Sequence, residues 1–383
     1  MILFPRHTEM DNTQKWSNSF KYVFFLAQCL ALLPVNGKHQ IYSKWKSLHI
    51  LYSLFVIFVT SILLIFQIVF AVTHEFDRNV LSSIMMKIYS ICALFLNIRL
   101  GSRWQKIHKQ WNQVDCVMDR RYGQLKKINL RIIAILSVYF ATSLGAFVNI
   151  LKLQGTSNIL EFELYSFVFN YVPPNYAMAL IFLFVYFIYF FLSNFIDVFI
   201  ASLSMAIALR FKQIRTRLEL SEKSQFDLGM TEFWLEMRRD YDRLSHLCKE
   251  LDDGISGLIL MSFAYNLFEV ISYLFHQLMM DSQQNVAFYF FFPYMVLRLL
   301  AVCLYTSWIN DESLAPVNIL NSVPSRNYNP EIGRWLVQMS FDNVALTGWK
   351  MFKVTRGIFL GVASIVVTYE LVIMQFYGFS GKT

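Results

Sequence analysis

Six ionisable residues lie within long apolar stretches of the sequence, where their charges are costly. They are Lys87, Arg99, Asp197, Glu269, Arg298 and Glu370. A charged side chain at the centre of a membrane costs about 2.5 to 3.5 kcal/mol on insertion scales unless it is paired or hydrated. From their depth in these stretches, Lys87 and Glu269 are predicted to pair across helices, and so are Asp197 and Arg298. The alternative is that Lys87 extends to the interface and that the others bind backbone or polar neighbours.

A ligand pocket is predicted between the outer halves of the helices, lined by aromatic side chains with a few polar groups that fix the orientation of the ligand. The candidate ligand-binding residues are Asn149, Tyr176, Glu269, Tyr273, His276, Gln277, Tyr289 and Tyr294. Tyr273, His276 and Gln277 share one helical face. For each tyrosine, the alternative is an anchor at the membrane interface.

No pattern in the sequence is typical of an enzyme or of a metal site. The sequence has no His-Glu-x-x-His, glycine-rich phosphate loop, nucleophile elbow or Cys-x-x-Cys. The seven histidines are scattered, and the five cysteines are not spaced as metal ligands are. We therefore expect no catalysis, no metal and no cofactor, and we expect the cysteines to be free thiols.

The composition is that of a membrane protein. Of the 383 residues, 56% are hydrophobic and only 16% are charged, and the mean hydropathy is +0.43, which is far from the values of soluble domains. The net charge of +8 could indicate nucleic-acid binding in a soluble protein. Because the basic residues here lie in alternate loops, their charge instead indicates orientation against a membrane, and we expect no nucleic-acid partner.

Seven apolar segments are long enough to span a membrane, so the predicted fold is an all-α membrane protein with seven transmembrane helices. The segments lie at about residues 47–72, 80–100, 130–151, 175–209, 254–280, 286–309 and 357–377. A strongly basic loop is predicted after the second segment, and acidic residues occur in the loop before it. The positive-inside rule then predicts a cytosolic N-terminus and an extracellular C-terminus, opposite to a G-protein-coupled receptor.

The same reading divides the chain into membrane and cytosolic parts. The membrane parts are predicted to be residues 47–209, with helices 1–4, residues 254–309, with helices 5 and 6, and residues 357–378, with helix 7. The cytosolic parts are predicted to be residues 1–46, with a short interfacial helix, residues 210–253, a helical extension, and residues 310–356, an anchor segment. The fourth span exceeds the about 20 residues that a bilayer needs, so it must tilt or project into the cytosol.

An amphipathic cytosolic helix is predicted in front of the fifth span. Its apolar residues Met237, Tyr241, Leu244, Cys248 and Leu251 recur at helical spacing with charges between them. Such a face needs a partner, which could be the other extended helices or a neighbouring copy of the chain.

One face of the last span is small and polar. Gly357, Gly361, Ser364, Thr368 and Gln375 share this face, and the other faces are apolar. One interpretation is close packing against another helix, because Gly-x-x-x-Gly lets backbones approach. The other is that the part from Thr368 to Gln375 lines a water-filled path formed by several copies of the helix.

The end of this span resembles the end of the last helix in insect gustatory receptors. Thr368, Tyr369, Gln375 and Phe376 stand in the segment TYELVIMQF, which is similar to the family signature of Thr-Tyr, five apolar residues and Gln-Phe. The approach LTGWKMFKVTR, from Leu346 to Arg356, also resembles that of the family. Four fixed residues at set spacing, at the end of the last membrane helix, make the resemblance specific.

The resemblance implies a ligand-gated, non-selective cation channel of four subunits, either identical or related, in the plasma membrane of sensory neurons. The last helices would line the pore, and the implied gate residues are Gln375, Phe376, Val372 and Thr368, with Tyr369 supporting the helix. The cytosolic ends of spans four to six would pack with the short helix before span seven into an anchor. A ligand that binds the open state better would shift the population towards it.

The expected partners are a small-molecule tastant and membrane lipid. Glu370 resembles an acidic residue of some sugar-responsive members, but the chain is short for that branch. A bitter or other non-sugar tastant is therefore expected, and a sugar is the alternative. A metabotropic chemoreceptor, with cytosolic loops that engage a G protein, and a transporter, with inverted repeats and broken helices, are the remaining alternatives.

Overall fold

Helices make up almost all of the described chain. The structure, a computed structural model, describes residues 20, 22–30, 32, 48–73, 78–125, 128–153, 167–223, 231–279 and 286–380, and at some helix ends it describes the backbone alone. Helices α1 to α6 are Leu48–Thr73, Arg78–Tyr122, Ile128–Leu153, Tyr176–Lys223, Thr231–Met279 and Val286–Leu314. They are followed by the short helices α7, Pro316–Asn321, and α8, Pro330–Asp342, by strands β1, Thr347–Gly348, and β2, Phe352–Lys353, and by helix α9, Gly357–Ser380.

The lengths of these helices fit a membrane. Helices α1 to α6 are each long and apolar enough to cross one. Helix α9 has 24 residues and would extend about 36 Å at 1.5 Å per residue, slightly more than the hydrocarbon core of a bilayer. The predicted all-α membrane fold with seven spanning helices is confirmed.

Three helices continue far beyond their apolar parts. Helices α2, α4 and α5 have 45, 48 and 49 residues. Their charged ends, residues 101–122, 210–223 and 231–253, pack with one another and with α7 and α8, and we call this assembly the polar end. The fourth span therefore continues as one helix beyond its apolar part, and its projection into the cytosol stays a prediction.

Two boundaries in the polar end differ from the prediction. The basic segment after the second span, predicted as a loop, is helical as far as Tyr122. Trp104 and Trp111 supply its apolar face and are 1% and 2% exposed. The cytosolic extension and the fifth span also form one continuous helix, α5, with no break at Gly254.

Buried ion pairs join the helices of the polar end. Arg210 of α4 donates hydrogen bonds to Asp115 and Asp119 of α2 at 2.8 and 2.7 Å. Arg121 of α2 donates from one nitrogen to both carboxylate oxygens of Asp240 in α5, at 2.9 and 2.8 Å. Such charge-assisted bonds are the strong ones in proteins, so they fix the relative positions of the three long helices.

The apolar face predicted for α5 is covered by its neighbours. Its five residues, Met237, Tyr241, Leu244, Cys248 and Leu251, are all between 0% and 1% exposed. Part of the cover is α8, whose Trp335 ring lies 5.6 Å from that of Tyr241. An ion pair of 2.8 Å between Arg238 and Glu331 adds to this contact. The partner that the sequence left open is therefore found within the same chain.

A two-stranded antiparallel hairpin, which the sequence did not predict, joins α8 to α9. Thr347 pairs with Lys353, and Gly348 pairs with Phe352. A Cβ atom at Gly348 would lie 2.3 Å from the ring of Phe352. A side chain there would displace this ring, so the position favours glycine.

The hairpin is held against α5 by a buried carboxylate. Asp252, 3% exposed, accepts hydrogen bonds from the backbone nitrogen of Thr347 at 2.6 Å and from Nζ of Lys350 at 2.5 Å. Trp349 and Lys350 have positive φ angles of 49° and 61°, which non-glycine residues rarely adopt. Arg356, just before α9, reaches Asp311 of α6 at 2.5 Å. The start of α9 is therefore fixed to both α5 and α6.

The N-terminal apolar segment forms a partly buried helix, as predicted. Residues 22–29 are helical, and Phe20, Val23 and Ala27 are 0% exposed. The ring of Phe24 lies 5.5 Å from that of Trp104 in α2. This segment therefore packs on the start of the polar end.

Candidate functional site

Within the described residues, helix α9 packs on the rest of its chain mainly through one face. Ile358, Val362 and Val366, spaced four residues apart, pack against the core, and the helices that α9 contacts are α5 and α6. At about 100° per residue, the small and polar stripe is centred roughly 130° away from these three residues. The stripe therefore points away from its own chain.

No part of the described chain covers this stripe. A Cβ atom at Gly361 would meet no atom within 4 Å, and at Gly357 it would meet only Thr355 Oγ1, at 3.7 Å. Ser364 and Thr368 are exposed, and the Thr368 hydroxyl donates to the backbone oxygen of Ser364 at 2.7 Å. If the stripe packs against a helix, that helix does not belong to the described residues of this chain.

The residues implied as the gate lie along the exposed part of α9. Thr368 and Gln375 are exposed, and Val372 is 41% exposed. Tyr369 is 54% exposed, so most of its surface is free to contact a neighbouring molecule. The side chains of Phe376 and Glu370 lie outside the described residues.

A polar cluster joins α4, α5 and α6 in the membrane part. Arg298 of α6 donates to Asp197 of α4 at 2.5 Å and to Asn194 Oδ1 at 2.6 Å. Asp197 also accepts hydrogen bonds from Ser262 and, at 3.1 Å, from Asn266, both of α5. We call these five residues the midplane cluster. The predicted pair of Asp197 and Arg298 is confirmed.

The other predicted pair is not formed. Lys87 is 0% exposed, and its Nζ contacts Gln67 of α1 and Ser83, the latter at 2.7 Å. Glu269 instead accepts a hydrogen bond from Ser82 at 2.9 Å. Lys87 is thus surrounded by neutral oxygens, and the rings of Phe167 and Tyr189 lie 5.5 and 5.8 Å from its Nζ. Lys87 does not extend to the interface, so that part of the alternative is wrong, whereas Glu269 binds a polar neighbour as the alternative predicted.

The structure brings only some of the predicted ligand-binding residues together. Tyr294 belongs beside the midplane cluster, because its hydroxyl donates to Asn194 at 3.0 Å. Glu269 and Tyr273, one turn apart on α5, are half-buried, whereas Tyr176 at the start of α4 is 62% exposed. The side chains of the remaining candidates, Asn149, His276, Gln277 and Tyr289, lie outside the described residues.

Several polar residues of this region were missed by the sequence analysis. They are Gln67, Ser82, Ser83, Tyr89, Asn194, Ser262, Tyr265 and Asn266. Ionisable groups were considered in every span, whereas neutral polar residues were considered as ligand contacts only in the outer halves of the third to sixth spans. An amide or hydroxyl inside an apolar span is also costly without a partner, so a search for neutral polar residues in the spans would have found them.

Comparison with known proteins identifies the family. A family model described as "Trehalose receptor" matches residues 5–382. The chain belongs to this family. The predicted resemblance to insect gustatory receptors is therefore confirmed over the whole chain and not only at its end.

The chain is also similar to receptors from Drosophila melanogaster. "Gustatory receptor 5a for trehalose" is 28% identical over 93% of this chain and 84% of its own length. "Gustatory receptor for sugar taste 64f" is 27% identical over 93% of this chain and 79% of its own. "Gustatory receptor for sugar taste 64b" is 27% identical and covers 95% of each. All three are named as receptors for sugars.

Solved structures with a similar fold come from an olfactory receptor. The insect olfactory receptor OR5 from Machilis hrabei superposes with a TM-score of 0.74, over 95% of this chain and 100% of the other, at 14% identity. Its structure in complex with eugenol gives a TM-score of 0.69 at 13% identity, over 95% and 98% of the two chains. The architecture of this gustatory receptor is thus shared with an insect olfactory receptor.

The names of the relatives bear on the class of ligand. The sequence analysis preferred a bitter or other non-sugar tastant, and that preference finds no support among these names. The alternative, a sugar, matches them. Glu370 is the feature of the sequence that resembles sugar-responsive members, and the class of ligand of this chain stays a prediction.

Proposed function

We propose that this gustatory receptor is a sugar-responsive, ligand-gated and non-selective cation channel. It acts as a tetramer of this chain, alone or with related receptors, in the plasma membrane of sensory neurons. The pore is lined by the stripe on α9, with Thr368, Val372, Gln375 and Phe376 towards the gate. The observation that carries the proposal is the exposed stripe on the last helix of a chain related throughout to sugar receptors.

The position of the stripe supports the channel. Contact with lipid does not stabilise small and polar residues, because the hydrocarbon tails of lipids solvate apolar side chains better. Around a central axis, several copies of α9 would turn these residues towards water and cover one another's flanks. The packed face, Ile358, Val362 and Val366, would remain against α5 and α6.

The polar groups inside the membrane part support an uncharged, hydroxyl-rich ligand. Glu269 is half-buried and lies beside Ser82, and Tyr273 follows it by one turn on α5. Sites that recognise small molecules combine apolar walls with a few placed hydrogen-bonding groups. The hydroxyl groups of a sugar can form hydrogen bonds with such polar side chains. Its apolar C–H faces can pack against the surrounding aromatic rings.

The distribution of basic residues supports the orientation. The polar end carries Arg103, Lys106, Arg120, Arg121, Lys212 and Arg217, so the positive-inside rule places it in the cytosol. The N-terminal segment packs on this end. The chain would then start in the cytosol and end outside the cell.

Patch-clamp recording tests the channel directly. Cells that express the chain, alone and with candidate co-receptors, are exposed to trehalose, other sugars and bitter compounds. We expect a sugar-evoked cation current whose reversal potential shifts in Gln375→Ala, since this change alters the wall of the pore.

The matched control is Val366→Ala, which shortens a side chain on the packed face of the same helix. We expect it to leave the reversal potential unchanged. A current evoked only by bitter compounds would overturn the ligand class. Surface protein that gives no current under any combination would overturn the channel itself.

A further inference from the structure

Among the ionisable residues of the apolar stretches whose side chains the structure describes, Arg99 alone has no partner within the described chain. Its side chain is exposed on α2 and forms no hydrogen bond or ion pair with the described residues. A charge in an apolar stretch is costly unless it is paired or hydrated. The surroundings of this guanidinium group must therefore supply what the described chain does not.

Arg103, one turn further along α2, fixes the level of this surface against the membrane. Its Nη1 donates to the backbone oxygen of Asp253 at 2.9 Å. The apolar stretch of α2 ends at about residue 100, and that of α5 begins at about residue 254. The two stretches thus end at the same level, and both arginines lie where these helices leave the hydrocarbon core.

Neither arginine forms an ion pair with a carboxylate of the described chain. Arg103 is exposed, and its bond to Asp253 goes to the backbone and not to the side chain. Residues four apart share a helical face with Cβ atoms about 6 Å apart, and like charges in this arrangement repel each other. The next basic residue on the face, Lys106, is already paired with Glu250 at 2.6 Å. An anion between Arg99 and Arg103 would remove the repulsion.

Arg103 is held by the same residue that holds the hairpin. The backbone oxygen of Asp253 accepts from Arg103, and its carboxylate pairs with Nζ of Lys350 at 2.7 Å. The guanidinium group of Arg103 is therefore fixed beside the segment that leads into α9.

The face of α2 on the membrane side of these arginines is apolar and open. Phe95, one turn before Arg99, is 58% exposed, and Ile88 is 37% exposed. Both lie on the face that carries the arginines. An apolar surface that continues into two guanidinium groups matches a phospholipid, whose acyl chain packs on the first part and whose phosphate binds the second.

The charge of the two groups favours an anionic phospholipid. A guanidinium group binds phosphate oxygens through two parallel N–H bonds. The headgroup of phosphatidylcholine brings a quaternary ammonium group, which the second arginine repels, whereas the headgroup of phosphatidylserine carries a net negative charge. Basic groups at the cytosolic end of a membrane helix attract such lipids.

We propose that Arg99 and Arg103 bind the headgroup phosphate of an anionic phospholipid whose acyl chain lies along Phe95. The leaflet that supplies the lipid, the cytosolic one, rests on the proposed orientation, but the binding itself rests on neither the sugar nor the pore. The site gives the membrane a contact with the residues that fix the start of α9.

The test measures binding to the full chain purified in an uncharged detergent. The unfolding temperature is followed against the concentration of dioctanoyl phosphatidylserine, dioctanoyl phosphatidylcholine or inorganic phosphate. We expect a saturable increase with phosphatidylserine and a much smaller effect of the other two probes at equal concentration. The half-saturating concentration should rise about tenfold in Arg99→Gln and in Arg103→Gln, the value of one charge-assisted hydrogen bond.

The matched control is Arg120→Gln. Arg120 is an exposed arginine on the same helix, about 25 Å beyond Arg103 at 1.5 Å per residue, so we expect the half-saturating concentration to stay unchanged. Arg99→Lys keeps the charge but loses the planar fork, and we expect a smaller loss than in Arg99→Gln. The unfolding temperature of each variant without lipid checks that it is folded.

Three outcomes would overturn the inference. Equal stabilisation by phosphatidylserine and phosphatidylcholine would indicate ordinary contact with lipid. An equal effect of inorganic phosphate would indicate an anion site that needs no lipid. An equal loss in Arg120→Gln would indicate diffuse attraction by the whole basic surface. Because this assay involves no current, the proposed channel stands or falls separately, by patch-clamp recording.

Discussion

At the scale of single residues, the membrane part is organised by polar side chains that satisfy one another across helices. Arg298 and Asp197 neutralise each other, and Asn194, Ser262 and Asn266 form further hydrogen bonds with the pair. These contacts explain how two full charges are tolerated between α4, α5 and α6. It also means that removing one member leaves the others without partners.

Asp197→Asn should therefore destabilise the protein strongly. The change leaves the guanidinium of Arg298 buried without a counter-charge, which costs about 3 kcal/mol or more in buried pairs. We expect a clear decrease in the thermal unfolding temperature of the detergent-solubilised protein. Adding Arg298→Gln should recover part of the loss, because it removes the unpaired charge. A double variant no more stable than Asp197→Asn would argue against the pair as the cause.

Asp115 in the polar end should make stability depend on pH. It lies outside the predicted spans, and its burial raises the pKa of its carboxyl to about 6, outweighing the charge and hydrogen bond of Arg210. The native state then binds more protons than the unfolded state between about pH 4 and 6, so the contribution of Asp115 to stability decreases as the pH rises through this range.

The comparison with Asp115→Asn isolates this contribution. We expect the free energy of unfolding of the wild type to decrease by about 1 to 3 kcal/mol relative to the variant as the pH rises from 4 to 6.5. The control is Asp119→Asn, which removes the other carboxylate that Arg210 contacts, at a more exposed position. We expect the stability of this variant to depend on pH as that of the wild type does. Parallel pH profiles for wild type and Asp115→Asn would refute the role of Asp115.

At the scale of elements, the hairpin between α8 and α9 connects the polar end to the proposed pore. Asp252 holds its first strand, and the contact of Arg356 with Asp311 holds the residue before α9. Beyond these contacts α9 packs on the described part of its own chain mainly through one face. A movement of α9 is therefore expected to pivot at the hairpin, with the larger displacement at the far end of the helix.

Gly348→Ala tests the geometry of the hairpin. The added methyl group would lie 2.3 Å from the Phe352 ring, so this ring must move and its packing in the hairpin is lost. We expect a loss of at least about 2 kcal/mol in stability, in the range of overpacked sites, and reduced surface expression.

The control is Gly145→Ala in α3, where a Cβ atom meets nothing within 4 Å. Alanine favours a helix over glycine by up to about 1 kcal/mol, so this variant should be at least as stable as the wild type. Equal behaviour of the two variants in surface expression would show that the hairpin is not tightly packed.

At the scale of the whole molecule, the long helices place charge at one end and apolar surface along the rest. Much of the outer surface of α1 and α3 is apolar, with Leu48, Phe58 and Val72 more than 60% exposed, as a surface facing lipid requires. The polar end instead carries ion pairs between helices. This division is the basis for the proposed orientation.

Epitope tags at the two termini test the orientation. In intact cells we expect an antibody to label a C-terminal tag, and to label an N-terminal tag only after the membrane is permeabilised. The two tags on otherwise identical chains act as controls for each other. Labelling of the N-terminal tag in intact cells would reverse the assigned orientation, and the polar end would then lie outside.

The sequence by itself determined the number of spans, the amphipathic face of α5 and the stripe on α9. These features depend on the periodicity of apolar residues along one helix, which is local information. The pair of Asp197 and Arg298 was also predictable, because each needs an opposite charge at its own depth. The family followed from the residues at the end of α9.

Only the tertiary structure decided which polar side chains meet. Depth alone paired Lys87 with Glu269, but the rotation of α1 and α2 turns Lys87 towards Gln67 and leaves Glu269 with Ser82. The hairpin could not be predicted from the sequence either, because two-residue strands show no periodicity. The hairpin also depends on a contact with Asp252, which is far away in the sequence. Contacts between distant residues depend on how helices rotate and pack against one another, and a single sequence does not encode those angles in any local pattern.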